Sequence, residues 1–450
     1  MTVQSIETKN STLERESNQK CLESPKYSCA LGGALGVISN IDRVIPILHT
    51  GQGCGSNQLL SFRQGGGNQG AGYMSGLMTP SSNLAEKEVV FGGEKRLEDE
   101  IRAAIELIDG DAYVVANGCI AGMIGDDIAA VVGKFANEKT PVGYVNSSGF
   151  AGNTWYGYEE TFISLINQFT EAQPLIKNRV NILGFVPYQD VFWRGNLTAL
   201  GDSLCAAGLD VTQVIGDFSG LDGIKRLSSA ELTIVVSPWV GLRTAQELEK
   251  KYGIPYISFP NIPVGPRDTT EFILTVARTL KLPKEGVTNY VDEQEKRAYY
   301  ELDIAGDICA QFASALPFAI TANAATSVGI TRFLVNEAGF TPIVVVVNDD
   351  PPLEVRDVIL DRLNTLDNDV RTNIFFESDS YAIRKILDNF YFRVILASSQ
   401  ERFSAQEANQ IHLSVTFPSF ERLVVNRTYA GYGGGIAILE DFLSKFIMPY

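Results

Sequence analysis

The chain has 450 residues, 45 % hydrophobic and 20 % charged, a globular composition that excludes a disordered protein. A formal net charge of −16, with no basic run anywhere, argues against nucleic acid and anionic membrane as partners. No apolar run reaches the roughly 20 residues of a membrane span, and the polar start MTVQSIETKNSTLERESNQK lacks the apolar centre of a signal peptide, so a cytoplasmic protein is expected.

Residues 1–25 read as a flexible N-terminal arm. From about residue 34, β-branched apolar runs alternate with amphipathic stretches. A helix is expected over 94–108 and a buried strand over 112–118. Strands follow at 179–186, 210–216 and 231–237, with a helix through LTALGDSLCAAGL and another at 244–253 closed by Gly253. A third series opens at 315–322 and continues as helix 328–339, strand 341–349, helix 381–390 and strand 391–398. Strands alternating with helices mean parallel sheets flanked by helices, so the fold class is α/β with three Rossmann-like domains. The expected divisions are 26–170, 171–270, a helical connector at 271–309, and 310–450 with a C-terminal helix.

Six cysteines and only two histidines occur. A cytoplasmic chain of this length does not use six cysteines as a disulfide framework, and two histidines cannot build a His-rich zinc or di-iron site. Any metal chemistry therefore falls to sulfur. Open parallel sheets place ligands beyond the carboxyl ends of their strands. Cys119 follows strand 112–118 in NGCIAGMIGDD, Cys54 lies in HTGQGCGSN, and Cys29 in SCALGGALGV. Glycine beside each thiol lets backbone approach a bulky iron–sulfur group, whose usual ligands are thiolates. Taken singly, each reads better as a packed cysteine in a turn; taken together, three Gly-flanked cysteines in one domain favour ligation. Three thiolates are one short of a common ligand set, so either a fourth group or a second chain must complete the site, a cluster shared at a subunit interface being the economical solution. Cys205 and Cys309 read as core residues of helices, Cys21 as a bystander, His49 as a hydrogen-bonding turn residue and His412 as part of an edge strand. Asp126 and Asp127 read as acids at a helix N-terminus rather than as catalytic carboxylates. No P-loop motif occurs.

The strings SCALGGALGV, HTGQGCGSN, EKEVVFGGEKRLEDEI, NGCIAGMIGDD, GFAGNTWYGY, PNIPVGPRDTTEF and TYAGYGGGIAILEDFL together resemble the nitrogenase component 1 superfamily across about residues 26–445. The resemblance implies that Cys29, Cys54 and Cys119 hold half of an eight-iron P-cluster-like iron–sulfur centre. A homologous α-type subunit would supply the other half, in an α2β2 heterotetramer. It implies that Gly53 and Gly149 are close-approach glycines at that centre, and that Phe91 is a docking residue for an ATP-dependent iron–sulfur reductase component. The family's Cys and His ligands of the active-site iron cofactor fall on Ser237 and Glu421. This chain is therefore expected to be the β-type subunit, with that cofactor in its partner.

The resulting expectation is a subunit without catalytic residues of its own. It relays electrons to the partner's cofactor for reduction of dinitrogen or of a small carbon–sulfur compound, as in methylthio-alkane reductase. The alternative is a scaffold subunit for cofactor assembly, which the strings VVFGGEKRLEDEI and SGFAGN resemble locally.

Overall fold

The computed structural model describes residues 24–70, 79–312, 316–367 and 371–447. Most of the expected arm, with Cys21, lies outside the described residues. Three parallel sheets, each flanked by helices, form the body. The first has the order β1 (Val44–His49), β2 (Ala112–Asn117), β3 (Val142–Val145). The second contains β4 (Arg179–Leu183), β5 (Asp210–Thr212), β6 (Leu232–Val235) and β7 (Tyr256–Ser258), ordered β5-β4-β6-β7. The third contains β8 (Pro317–Ala322), β9 (Thr341–Val347), β10 (Asn373–Phe376), β11 (Val394–Ala397) and β12 (Ile411–Ser414), ordered β10-β9-β8-β11-β12.

The strands are near-continuous apolar runs because both faces of each sheet are covered. In β1, Val44 and Leu48 enter the central core, while Ile45 and Ile47 meet Leu97 and Ile101 of helix Glu94–Leu107 on the other face. In β9, Val345 and Val347 face the central core, and Val344 and Val346 pack with Ile383 and Leu387 outside. Two expected divisions fall inside helices: residues 270 and 271 both belong to helix Gly265–Thr279, and residues 309 and 310 to helix Lys284–Phe312. A helix that spans both sides of a pattern restart leaves no composition change to read. Helix Ala324–Asn336 begins four residues before the expected start because Asn323 caps it, accepting from the Thr326 N–H at 2.9 Å.

Helix Ala30–Ile38 crosses helix Thr154–Phe169 at backbone contact. A Cβ on Gly33 would lie 1.9 Å from the Thr154 carbonyl oxygen, and one on Gly157 would lie 1.9 Å from that of Ala30. Gly33, in the glycine-rich stretch beside Cys29 expected to let backbone approach a bound group, instead lets two helices touch, with Gly157 opposite it. Just upstream, Lys26 is buried against the third sheet's carboxyl edge. Its ammonium donates to Ser398 Oγ at 3.2 Å and Gln400 Oε1 at 2.6 Å and pairs with Glu401. Burial pushes its pKa down, against the opposing pull of Glu401.

The second and third sheets are latched by two carboxyls. Asp190 accepts from the Val186 N–H at 2.6 Å and from the Asn323 amide. Asp349 accepts from Trp239 Nε1 at 2.8 Å and the Ala324 N–H at 2.9 Å. Burial pushes each up to about 7, and the neighbouring Asp349 charge adds to the rise at Asp190.

Two outcomes follow from these contacts. Gly33→Ala forces a methyl into a carbonyl and lowers unfolding free energy in urea by about 3 kcal/mol. Gly306→Ala, in a helix with open space around its Cβ, stabilises by about 1 kcal/mol; equal effects would refute the crossing. Because the folded state holds protons on Asp190 and Asp349 more tightly than the unfolded chain does, their contribution to stability falls as pH rises from about 4 to about 7. Asp349→Asn flattens that part of the pH profile of the urea midpoint, and an unchanged slope would contradict the assignment.

Candidate metal centre

The carboxyl ends of β1, β2 and β3 carry the first group of interest. Cys54 opens helix Cys54–Leu60 after β1, launched from Gly53, whose φ of 90° suits glycine. Cys119 opens helix Cys119–Ile124 directly after β2, with Gly118 as its N-cap. Cys29 caps helix Ala30–Ile38 and bridges Asn153 in a two-residue antiparallel pairing. That junction is stitched by Ala30 N–H to Gly152 O at 3.0 Å and Thr154 N–H to Ser28 O at 2.9 Å.

Gly149, in the loop after β3, joins two of the thiols. A Cβ there would lie 3.0 Å from Cys119 Sγ, 3.2 Å from Cys29 Cβ and 3.5 Å from Cys29 Sγ. Its loop is held by Asn117, the last residue of β2. Asn117 Oδ1 accepts from the Ser147 N–H at 2.7 Å, and its Nδ2 donates to Ser148 Oγ at 3.1 Å. Cys54 is tied in through its own helix, because Gln58 Nε2 donates to Cys29 Sγ at 3.3 Å. All three thiols are partly exposed. Among the described residues, no three His, Cys, Asp or Glu side chains converge tightly enough for a single metal ion. The Cys29 and Cys119 thiols beside a bare glycine Cα suit a larger thiolate-bound group approached by backbone.

Apolar side chains lie exposed on the same elements: Leu60 ends the Cys54 helix, Met123 is on the Cys119 helix, and Phe150 follows Gly149. Helix Glu86–Phe91 packs against the Cys119 helix. Phe91, at its end, is 82 % exposed and Val90 71 %. His49 fixes this corner. It is the last residue of β1 rather than a turn residue, and its ring joins Ser82 Oγ at 3.0 Å to Asp126 Oδ2 at 2.9 Å. Burial holds its pKa below the usual histidine value, against Asp126. Asp126 also accepts from the Gly93 N–H at 2.9 Å. Asp127 is the acid at the helix N-terminus, capping Ile128–Gly133.

Ser237 lies elsewhere. Its Oγ accepts from the N–H of Val240 at 3.0 Å and lines a cavity of about 10 Å³ with Trp155, Asp190, Asn323 and Asp349. That space suits about one water, and its lining carries no cysteine or histidine. Glu421 is not part of that lining; it is held by Ser399 and stands 3.7 Å from His412 Nδ1. The residues here do not fit an active-site iron cofactor. His412 lies on edge strand β12, as expected. Cys205, expected in the core, is exposed: the helix buries Leu197, Leu200, Gly201 and Leu204, and Cys205 falls one step past that stripe. Cys309 is half-buried. Gln58, Ser28 and Asn117 were not evident from the sequence; reading CGSNQLL as a helix would have put Gln58 one turn beyond Cys54.

Comparison with known proteins is consistent with this geometry. A nitrogenase iron-iron protein beta chain of Rhodobacter capsulatus is 24 % identical, with 93 % of this chain and 92 % of that protein aligned. A nitrogenase molybdenum-iron protein beta chain of Methanothermobacter marburgensis is 22 % identical over 97 % of this chain and 96 % of its own. The nitrogenase iron-molybdenum cofactor biosynthesis protein NifE of Clostridium pasteurianum is 30 % identical over 62 % of this chain and 60 % of its own. The solved structure described as nitrogenase Cp1 at pH 6.5 superposes with a TM-score of 0.79 at 19 % identity, covering 96 % of this chain and 94 % of that one. No helix among the described residues is long and apolar enough to cross a membrane. The family described as nitrogenase component 1 type oxidoreductase matches residues 29–447, and the chain belongs to it.

Proposed function

We propose that the chain is the β-type subunit of a nitrogenase-like two-component reductase. In this reading Cys29, Cys54 and Cys119, in a cluster-binding domain of residues 26–170, hold one half of a P-cluster-like iron–sulfur centre. A homologous α-type subunit holds the other half in an α2β2 heterotetramer. The subunit relays electrons from an ATP-dependent reductase to the partner's active-site cofactor, for reduction of dinitrogen or of a small carbon–sulfur compound. The observation that carries the reading is the approach of the Cys29 and Cys119 sulfurs to the bare Cα of Gly149. Similarity to nitrogenase beta chains over more than nine-tenths of the sequence supports it.

Bound there, an iron–sulfur centre supplies one-electron chemistry. The chain's own residues provide the setting. The three cysteines are each partly exposed, which leaves room for a partner's ligands on their open side. Leu60, Met123 and Phe150 exclude water around that mouth once a partner covers them. Asn117 keeps the Ser147–Gly149 loop from moving into the space beside the thiols. Val90 and Phe91 present an apolar knob for the reductase, on a corner fixed by His49 and Asp126.

The similarity to NifE favours a second reading, a scaffold on which cofactor is assembled. The two separate on turnover: an electron-relay subunit supports substrate reduction by the complete complex, whereas a scaffold supports only transfer of a metal cluster to another protein.

The test is iron and acid-labile sulfide in the complex purified with its α-type partner without oxygen. The wild-type complex carries both; Cys54→Ala loses most of the iron and weakens subunit association, read by size-exclusion chromatography. Unchanged iron and intact assembly in Cys54→Ala would reject the assignment.

A further inference from the structure

We propose that Gln58 is a positioning residue for the Cys29 thiolate: its side-chain amide donates an N–H···S hydrogen bond that aims the sulfur and stabilises its negative charge. The inference rests on the reading of Cys29 as a cluster ligand. Gln58 Nε2 lies 3.3 Å from Cys29 Sγ. The amide is oriented by a second contact, because the Ser28 hydroxyl donates to Gln58 Oε1 and so turns the NH2 group towards sulfur. Gly32 makes room for that pair: a Cβ there would lie 2.4 Å from Ser28 Oγ and 2.6 Å from Gln58 Oε1. Three residues are thus arranged around one N–H···S contact.

The placement links two thiols. Gln58 lies one turn beyond Cys54 on helix Cys54–Leu60, so a single element carries one thiol and the hydrogen-bond donor to another. Ser28, adjacent to Cys29, belongs to the segment stitched to the loop of residues 152–154. A shift of the Cys54 helix therefore moves the donor at Cys29. Hydrogen bonds to ligand sulfur raise the reduction potential of an iron–sulfur centre, because they favour the more negative, reduced state.

Two measurements test the proposal. In crystals of the full chain freed of metal by a chelator, Gln58→Met lets the Cys29 sulfur leave its place beside Gly149, and Ser28→Ala turns the Gln58 amide away from it. A Cys29 sulfur that keeps its place in Gln58→Met would overturn the proposal. In the anaerobic complex, Gln58→Met keeps its iron and shifts the midpoint potential of the centre to more negative values; an unshifted potential at full iron content would also overturn it. Absence of iron from the wild-type complex would instead refute the proposed function, and the sulfur position in the metal-free chain would still decide the role of Gln58.

Discussion

The structure depends on one contact between backbones. Helix Ala30–Ile38 and helix Thr154–Phe169 approach until carbonyl oxygens occupy the places where Gly33 and Gly157 would carry a Cβ. Any larger residue would force the helices apart and carry Cys29 away from Asn153. With the crossing in place, the residue before helix 30–38 falls beside the loop after β3, and Cys29 meets Cys119 across Gly149. The short helices opened by Cys54 and Cys119 start from the carboxyl ends of β1 and β2, whose pairing runs in register up to His49 and Asn117. Sheet register, helix crossing and one bare Cα thus bring the Cys29 and Cys119 sulfurs beside Gly149, and Gln58 ties the Cys54 helix to Cys29.

Among the described residues, two crevices differ sharply in chemistry. Sulfur and glycine line the mouth of the first sheet, where the thiols stay partly open. Carboxyl, amide and tryptophan groups close the junction of the second and third sheets around about 10 Å³. Asp190 and Asp349 bind each sheet to residues of the other there, and burial keeps their protons on to about pH 7. Aromatic contacts connect the two regions: the Trp155 ring centroid lies 5.7 Å from that of Trp239 and 5.0 Å from that of Tyr27, two residues before Cys29. Lys26 adds a buried ionic tie from the same segment to the third sheet. In the proposed reading, the first crevice is the working surface and the second is a rigid support.

The fold was largely legible because its signals are local. Apolar runs such as TPIVVVV and AYVVAN could only be strands covered on both faces, and Gly253, with φ of 71°, closes its helix as expected. Strands β7 and β10 were not legible, since each sits partly exposed at a sheet edge and carries no fully buried apolar run. Cys54 and Cys119 could be picked out by their place beyond strands, and Cys29, which precedes β1, by the glycines that follow it. The meaning of the nearby glycines could not: Gly33 is a contact with a helix 120 residues further along the chain, and only the tertiary structure reveals it. Cys205 was misplaced because an apolar neighbourhood in sequence does not fix which side of a helix faces out. Gln58 and Asn117 act through polar contacts to distant residues, and nothing in composition or spacing marks them.

The central claim is that the sulfurs of Cys29, Cys54 and Cys119 face a metal group shared with a second subunit. The most direct measurement is an anomalous-scattering map at the iron edge, from crystals of the complex with its α-type partner grown without oxygen. The account predicts a compact iron peak bonded to all three sulfurs and to cysteines of the partner subunit. Sulfurs that point into solvent or away from one another, with no iron between the chains, would contradict it.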